Sequence, residues 1–133
     1  MTKLLITGGA GFIGSHCVLE ALERGYDVFN VDSLTYAADL NNLASLQEAS
    51  NYQFVKGDIR DLDFLRDLFE KEAFDMVMHL AAESHVDVSC KNPSIFVETN
   101  VVGTENLLSC AEENSIGRFL HVSTDEVYGE LEY

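Results

Sequence analysis

The chain has 133 residues, enough for one domain with a sizeable core, and its 47% hydrophobic content fits a folded globule. A formal charge of −15, from 23 acids against 8 bases, argues against nucleic acid or an anionic membrane as partner. The longest apolar runs fall well short of a bilayer span or a secretory core. Three cysteines, Cys17, Cys90 and Cys110, follow no paired or metal-like spacing, which suits a reduced, cytoplasmic setting.

An apolar run, Leu4-Leu5-Ile6, opens the chain and reads as a strand over about 3–7. The glycine turn Gly8-Gly9-Ala10-Gly11-Phe12-Ile13-Gly14 follows, in either of two registers: Gly9-x-Gly11-x-x-Gly14 or Gly8-x-x-Gly11-x-x-Gly14. A helix over about 12–24 comes next, with Ile13, Cys17, Ala21 and Leu22 on one face and Gly25 as its stop signal. Strand, glycine turn and helix start together form a dinucleotide cradle. Glycines let the backbone approach a pyrophosphate, whose charge the helix N-terminus then holds. A second strand, about 27–31, leads to Asp32, 18 positions past Gly14. A carboxylate near this offset accepts hydrogen bonds from the adenosine ribose hydroxyls. Ser33 follows instead of a cation that would receive a 2′-phosphate, so NAD is favoured over NADP.

A third strand lies near 53–57 and a helix over about 62–72, with Asp61 as N-cap and Leu62, Leu65, Leu68 and Phe69 as its buried stripe. The seven acids between Asp58 and Asp75 read mostly as a solvated face. Strand four covers about 75–80. The longest helix starts at Asn92-Pro93, with Asn as cap and Pro in the first turn, and carries Ile95, Phe96, Thr99, Val102, Leu107 and Cys110 to about residue 114. Gly103 within it permits close packing. Strand five is Arg118 to Val122. Alternating strands and helices with right-handed crossovers give an α/β, Rossmann-type doubly wound parallel sheet of order 3-2-1-4-5, truncated after the fifth strand. Ligand would then lie across the carboxyl ends of the strands.

The segment Ser123-Thr124-Asp125-Glu126-Val127-Tyr128-Gly129 follows strand five. Adjacent carboxylates beside a hydroxyl suit divided acid and base work, and equally a polar turn rich in cap residues. His79 and His85 flank Glu83 but have poor metal geometry, so structural roles are expected and no metal site. His121, alternating with Leu120 and Val122, reads as packing. His16 and Cys17 receive no chemistry. Tyr52 and Lys56 have the Tyr-x-x-x-Lys spacing, but on a strand residues four apart span about 13 Å instead of one helical turn.

Five stretches carry a resemblance: the glycine loop, Asp32-Ser33-Leu34-Thr35-Tyr36-Ala37, Gly57-Asp58-Ile59-Arg60-Asp61, His79 through Asp87, and Thr124-Asp125-Glu126-Val127-Tyr128-Gly129. In that order they resemble the extended short-chain dehydrogenase/reductase family and, within it, the dTDP-glucose 4,6-dehydratases. The Asp-Glu pair discriminates, since sugar 4-epimerases of the family usually carry small or hydroxyl residues there. The resemblance implies that Gly8, Gly11 and Gly14 shape the cradle and that the amides of Phe12 and Ile13 meet the pyrophosphate. Asp32, Ser33, Leu34 and Thr35 would surround the ribose, and Asp58 and Ile59 would read the adenine. Leu80, Ala81, Ala82 and Thr99 would line the path to the nicotinamide, and Ser84 and Thr124 would touch a nucleotide-sugar substrate. Glu126 would act as base at the sugar C5 and Asp125 as acid at the C6 hydroxyl, with Thr124 beside them. Ser33 and Val88 stand where many relatives have Lys and Arg.

The family's Tyr-x-x-x-Lys pair and its substrate domain would lie beyond Tyr133. The expectation is therefore one NAD-binding domain, 1–133, incomplete as a catalyst. Two other readings stand beside it: a related nucleotide-sugar 4-epimerase or decarboxylase, and a non-catalytic nucleotide-binding module. An exposed fifth strand with uncovered apolar surface predicts self-association into a homo-oligomer.

Overall fold

In the computed structural model, described for residues 1–46 and 48–130, five strands pair in parallel in the order 3-2-1-4-5. The expected end of the chain at Tyr133 lies outside the described residues. The strands are β1 (Lys3–Thr7), β2 (Asp27–Asp32), β3 (Tyr52–Lys56), β4 (Met76–His79) and β5 (Arg118–His121). These bounds fall within a residue or so of the sequence reading. Leu5 sits in register with Phe29 on one side and Val77 on the other, so β1 is the central strand.

Side chains alternate across β1. Leu4 and Ile6 pack with Val28 under Val18 and Ala21 of α1 (Phe12–Glu23). Leu5 joins Phe29, Val31 and Val77 beneath Leu65, Leu68 and Phe69 of α2 (Leu62–Glu72) and Leu107 and Cys110 further along the chain. Two buried faces make β1 apolar throughout, the signature of a central parallel strand. Asp61 caps α2 as expected, its carboxylate accepting the Phe64 N–H at 3.0 Å. Gly25 stops α1 with φ +82°.

Several expectations change. Ile13 is 62% exposed, at the shared rim of the cleft and of the open groove over β4 and β5; the buried face of α1 runs through Gly14, Val18 and Ala21. The stretch 80–87 contains the start of an unexpected short helix, α3 (Val86–Lys91). The long helix is divided into α4 (Pro93–Phe96), a π-helical segment (Val97–Gly103) and α5 (Thr104–Glu113). Pro93 stands in its first turn, but Asn92 makes no side-chain cap bond. Val102 is exposed, not packed. At Gly103 a Cβ would lie 2.6 Å from Ile59 Cγ1, so the close approach foreseen there is real. His121 is exposed, although one face of its ring lies against His79 with centroids 4.9 Å apart. Beside α1, an apolar groove of about 1200 Å³ runs over β4 and β5, lined by Cys17, Ala21, Met76, Met78, Phe119 and Leu120.

Candidate functional site

The site begins with backbone geometry after β1. Gly8 has φ +75°, and a Cβ there would lie 2.7 Å from the Ala81 nitrogen. A Cβ on Gly14 would strike the Gly8 carbonyl, and one on Gly9 would strike the Asn30 side chain. Gly11, the N-cap of α1, differs: its nearest neighbour would be the Gly8 oxygen at 3.4 Å. Among the described residues no other atom beyond its chain neighbours lies within 4 Å of that position, so Gly11 leaves its outer face open. Both glycine registers are thereby used, Gly9 inward and Gly8, Gly11 and Gly14 around the cradle. Among the described residues the first-turn N–H groups of Phe12 and Ile13 have no acceptor.

Asp32 closes the cradle from β2. It is 8% exposed, and its Oδ2 accepts the Ala10 N–H at 3.0 Å while Oδ1 accepts the Leu34 N–H at 2.8 Å. Leu34 takes φ +58° to make that turn. One carboxylate therefore ties the glycine loop to the loop after β2.

These elements bound a cleft of about 420 Å³ across the strand ends. Of the expected residues, Gly8, Gly11, Phe12, Ile13, Gly14, Asp32, Ser33, Thr35, Asp58, Ile59, Leu80, Ala81, Ala82, Ser84 and Thr99 line it. Leu34 is not in the lining; its backbone N–H donates to Asp32. Thr124, Asp125 and Glu126 are not in the lining; they stand exposed after β5, where the Thr124 hydroxyl accepts the Glu126 N–H at 3.2 Å. The sequence reading assigned no part to Arg60 and Glu83, which also line the cleft. Arg60 is the only cation among the described lining residues. It is paired with Asp58 at 2.6 Å and Glu98 at 3.3 Å, and the Arg60 guanidinium holds the Asp58 carboxyl below its usual range. An anion in the cleft would rely on helix-end N–H groups, as the acidic composition implies.

The far wall is built on His79. Its ring is buried between Thr7 Oγ1, 2.7 Å from Nδ1, and Thr104 Oγ1, 2.9 Å from Nε2. Asn100, in the π-helical segment, grips Glu83 twice: Nδ2 donates to the Glu83 carbonyl and Oδ1 accepts its N–H, both at 2.8 Å. At the cleft mouth the Tyr36 hydroxyl donates to Glu83 Oε2 at 3.1 Å. Tyr52, half of the decoy pair, accepts the Asn30 amide at 3.1 Å, away from the cleft lining. Among the described residues no cluster of three or more His, Cys, Asp or Glu side chains could hold a metal, and no helix is long and apolar enough to cross a membrane.

A family model described as GDP-mannose 4,6 dehydratase matches residues 5–133. The chain belongs to this dehydratase family. It is 50% identical over 140 residues to a dTDP-glucose 4,6-dehydratase of Xanthomonas campestris pv. campestris, covering 98% of this chain and 40% of that protein. The crystal structure of DesIV, a dTDP-glucose 4,6-dehydratase from Streptomyces venezuelae with NAD bound, superposes with TM-score 0.90. It is 48% identical and covers 99% of this chain and 42% of that one. A UDP-Glc/GlcNAc 4-epimerase from Campylobacter jejuni superposes at 0.93 but is 32% identical, over 100% of this chain and 40% of that one. The chain thus spans about two fifths of the dehydratases it matches.

Proposed function

We propose that residues 1–133 are the NAD-binding domain of a nucleotide-sugar 4,6-dehydratase that converts dTDP-glucose to dTDP-4-keto-6-deoxyglucose. The observation that carries the reading is Gly11, whose open face confronts the cleft between unpaired helix-end N–H groups and the pinned Asp32. That arrangement fits a dinucleotide: pyrophosphate over Gly11 and the amides of Phe12 and Ile13, ribose at Asp32 with Ser33 and Thr35 beside it, adenine at Asp58 and Ile59. Leu80, Ala81, Ala82 and Thr99 line the opposite end, where the nicotinamide would lie.

When bound, NAD would supply a reversible hydride acceptor. The chain's own residues handle protons. The Glu126 carboxylate takes the C5 proton, made acidic by a neighbouring C4 ketone. The Asp125 carboxyl gives its proton to the C6 hydroxyl, which leaves as water. Ser84 and Thr124 contact the sugar. This reading assigns the remaining catalytic groups and the substrate-binding part to further chain, of the kind that makes the relatives about two and a half times as long. Further chain of that kind would cover the groove beside α1. A cytoplasmic homo-oligomer completes the proposal, associating through the β5 edge or through Val97, Val101 and Leu108, each about half exposed.

Calorimetric titration of the chain with NAD and NADP, beside Gly11→Ala, tests the cofactor reading. NAD binding that NADP does not match, weakened about tenfold or more in a folded Gly11→Ala, is the expected result. A folded wild-type chain that binds neither dinucleotide overturns it. Product analysis of a full-length enzyme carrying this segment separates the dehydratase from an epimerase.

A further inference from the structure

Behind the glycine turn lies the one buried side-chain nitrogen or oxygen left without a partner among the described residues, Asn30 Oδ1. Asn30 is fully buried on β2, between the apolar Phe29 and Val31, and neither it nor Tyr52 lines the cleft. Its Nδ2 donates to the Tyr52 hydroxyl at 3.1 Å. Turning the amide over would let Tyr52 serve the oxygen and strand Nδ2 instead, exchanging an unmet acceptor for unmet donors. An orphan of this kind in a buried strand lowers stability, so its presence there asks for a reason.

Three successive residues of β2 hold three successive residues of the turn. The Gly8 N–H donates to the Val31 carbonyl at 2.9 Å, and the Ala10 N–H to Asp32 Oδ2 at 3.0 Å. Between them the Gly9 N–H has no acceptor among the described residues, and Gly9 rests on the Asn30 amide by contact. A Cβ on Gly9 would strike Oδ1 and lie 2.5 Å from Cγ and 2.8 Å from Nδ2, so the flat face of the amide lies under the glycine. From α1, a Cβ on Gly14 would lie 2.8 Å from the Gly9 Cα. Amide, Gly9 and Gly14 form one close-packed stack. The two residues just before Gly14 are Phe12 and Ile13, whose N–H groups are unpaired at the cleft.

We propose that Asn30 is a positioning residue for the pyrophosphate of a dinucleotide. Its amide, held flat by Tyr52, sets the depth of Gly9 and, through Gly14, the aim of the Phe12 and Ile13 N–H groups. The inference rests on the reading of the cleft as an NAD site. A planar amide is thinner than a branched aliphatic group, whose methyls would push Gly9 towards Gly14. Close packing passes such a push on to the first turn of α1. Polar chemistry is needed only at the rim of the amide, where Tyr52 keeps it from rotating. The unmet oxygen is the cost of that arrangement.

The experiment titrates NAD and adenosine into wild type, Asn30→Leu, Tyr52→Phe and the double variant, with urea unfolding of each. Leucine keeps the branching of asparagine without its plane; phenylalanine at position 52 removes only the clamp. Asn30→Leu should lower NAD affinity about tenfold or more, and Tyr52→Phe about threefold or more. Adenosine, which carries no pyrophosphate, should stay within about twofold of its wild-type affinity. Added to Asn30→Leu, Tyr52→Phe should take away no further NAD affinity, since no amide remains to be held. If both single variants move the urea midpoint yet bind NAD as wild type does, Asn30 is only structural and the proposal falls. It falls equally if adenosine loses as much as NAD, the mark of a disturbed cleft instead of a misaimed turn. Should Asn30→Leu not fold, Tyr52→Phe decides alone: Tyr52 is half-buried on the edge strand β3, where loss of a hydroxyl is tolerated. A folded wild type that binds no NAD removes the cofactor reading, and this inference with it.

Discussion

Thr104 fixes the protonation of His79. The Thr104 hydroxyl donates to the Asn100 carbonyl at 2.8 Å, so towards His79 Nε2, 2.9 Å away, it must accept. The ring therefore carries its proton on Nε2, and Nδ1 accepts from Thr7 at 2.7 Å. Thr7 Oγ1 in turn faces the Ala81 N–H at 3.4 Å. A single directed chain of hydrogen bonds links β1, β4, the π-helical segment and the cleft wall.

A second proton on His79 would reverse one link of that chain. Burial, aided by His121 with ring centroids 4.9 Å apart, holds the His79 pKa down at about 4. The unfolded value is near 6.5, so between these values the unfolded state binds more protons and stability rises with pH. Roughly 3 kcal/mol should be lost as pH falls from about 6.5 to about 4. Urea unfolding of wild type and His79→Gln across this window measures it, the difference in slope isolating His79 from the carboxylates. Parallel slopes would refute the assignment.

Thr104→Val keeps the shape of the side chain and removes the acceptor for His79 Nε2–H. A buried donor left unpaired costs about 1–3 kcal/mol. Chemical denaturation should report a loss in that range, whereas Ser at the same position should recover most of it.

Gly103→Ala sets two effects against each other. Alanine is favoured over glycine in a helix by about 1 kcal/mol, and overpacking costs about 1–3 kcal/mol. With Ile59 Cγ1 2.6 Å from the new methyl, crowding should win and lower the melting temperature. Pairing it with Ile59→Ala should make the glycine replacement neutral or better, a coupling visible in a double-mutant cycle.

Asp32→Ala should lose stability as well as cofactor. Ala10 and Leu34 would each be left with an unpaired N–H, at about 1–3 kcal/mol for the buried one. Gly11→Ala, with ordinary contacts for its Cβ, should stay within about 1 kcal/mol of wild type. Unfolding curves for the two variants test the contrast, which makes Gly11 the cleaner probe of binding.

Periodicity exposed most of the sheet and its covering helices because they bury regular stripes: Leu4 and Ile6 against Leu5, or Leu65 with Leu68 and Phe69. Spacing likewise placed Asp32 and the glycines, since their chemistry is local to one turn. The features that stayed hidden were non-local or left no stripe. The helix Val86–Lys91 has no buried residue, so no pattern marks it. Ile13 has helical spacing but faces the open groove over β4 and β5, where no other element covers it among the described residues. The Arg60 fork depends on a loop turning back on itself, and the His79 chain joins residues as far apart as Thr7 and Thr104.

The π-helical segment works as a phase shifter. Each residue of an ordinary α-helix advances about 100° around the axis, so a stretch of wider turns lets the residues on its two sides face different directions. After the segment, Leu107 and Cys110 keep step with the core; within it, Thr99 faces the cleft and Asn100 grips Glu83. A one-residue deletion inside Val97–Gly103 would restore regular winding and leave the folding core untouched. The cleft-facing residues would then swing away by about a quarter of a turn. The same rod thus answers to two angular settings, one dictated by packing and one by the cleft.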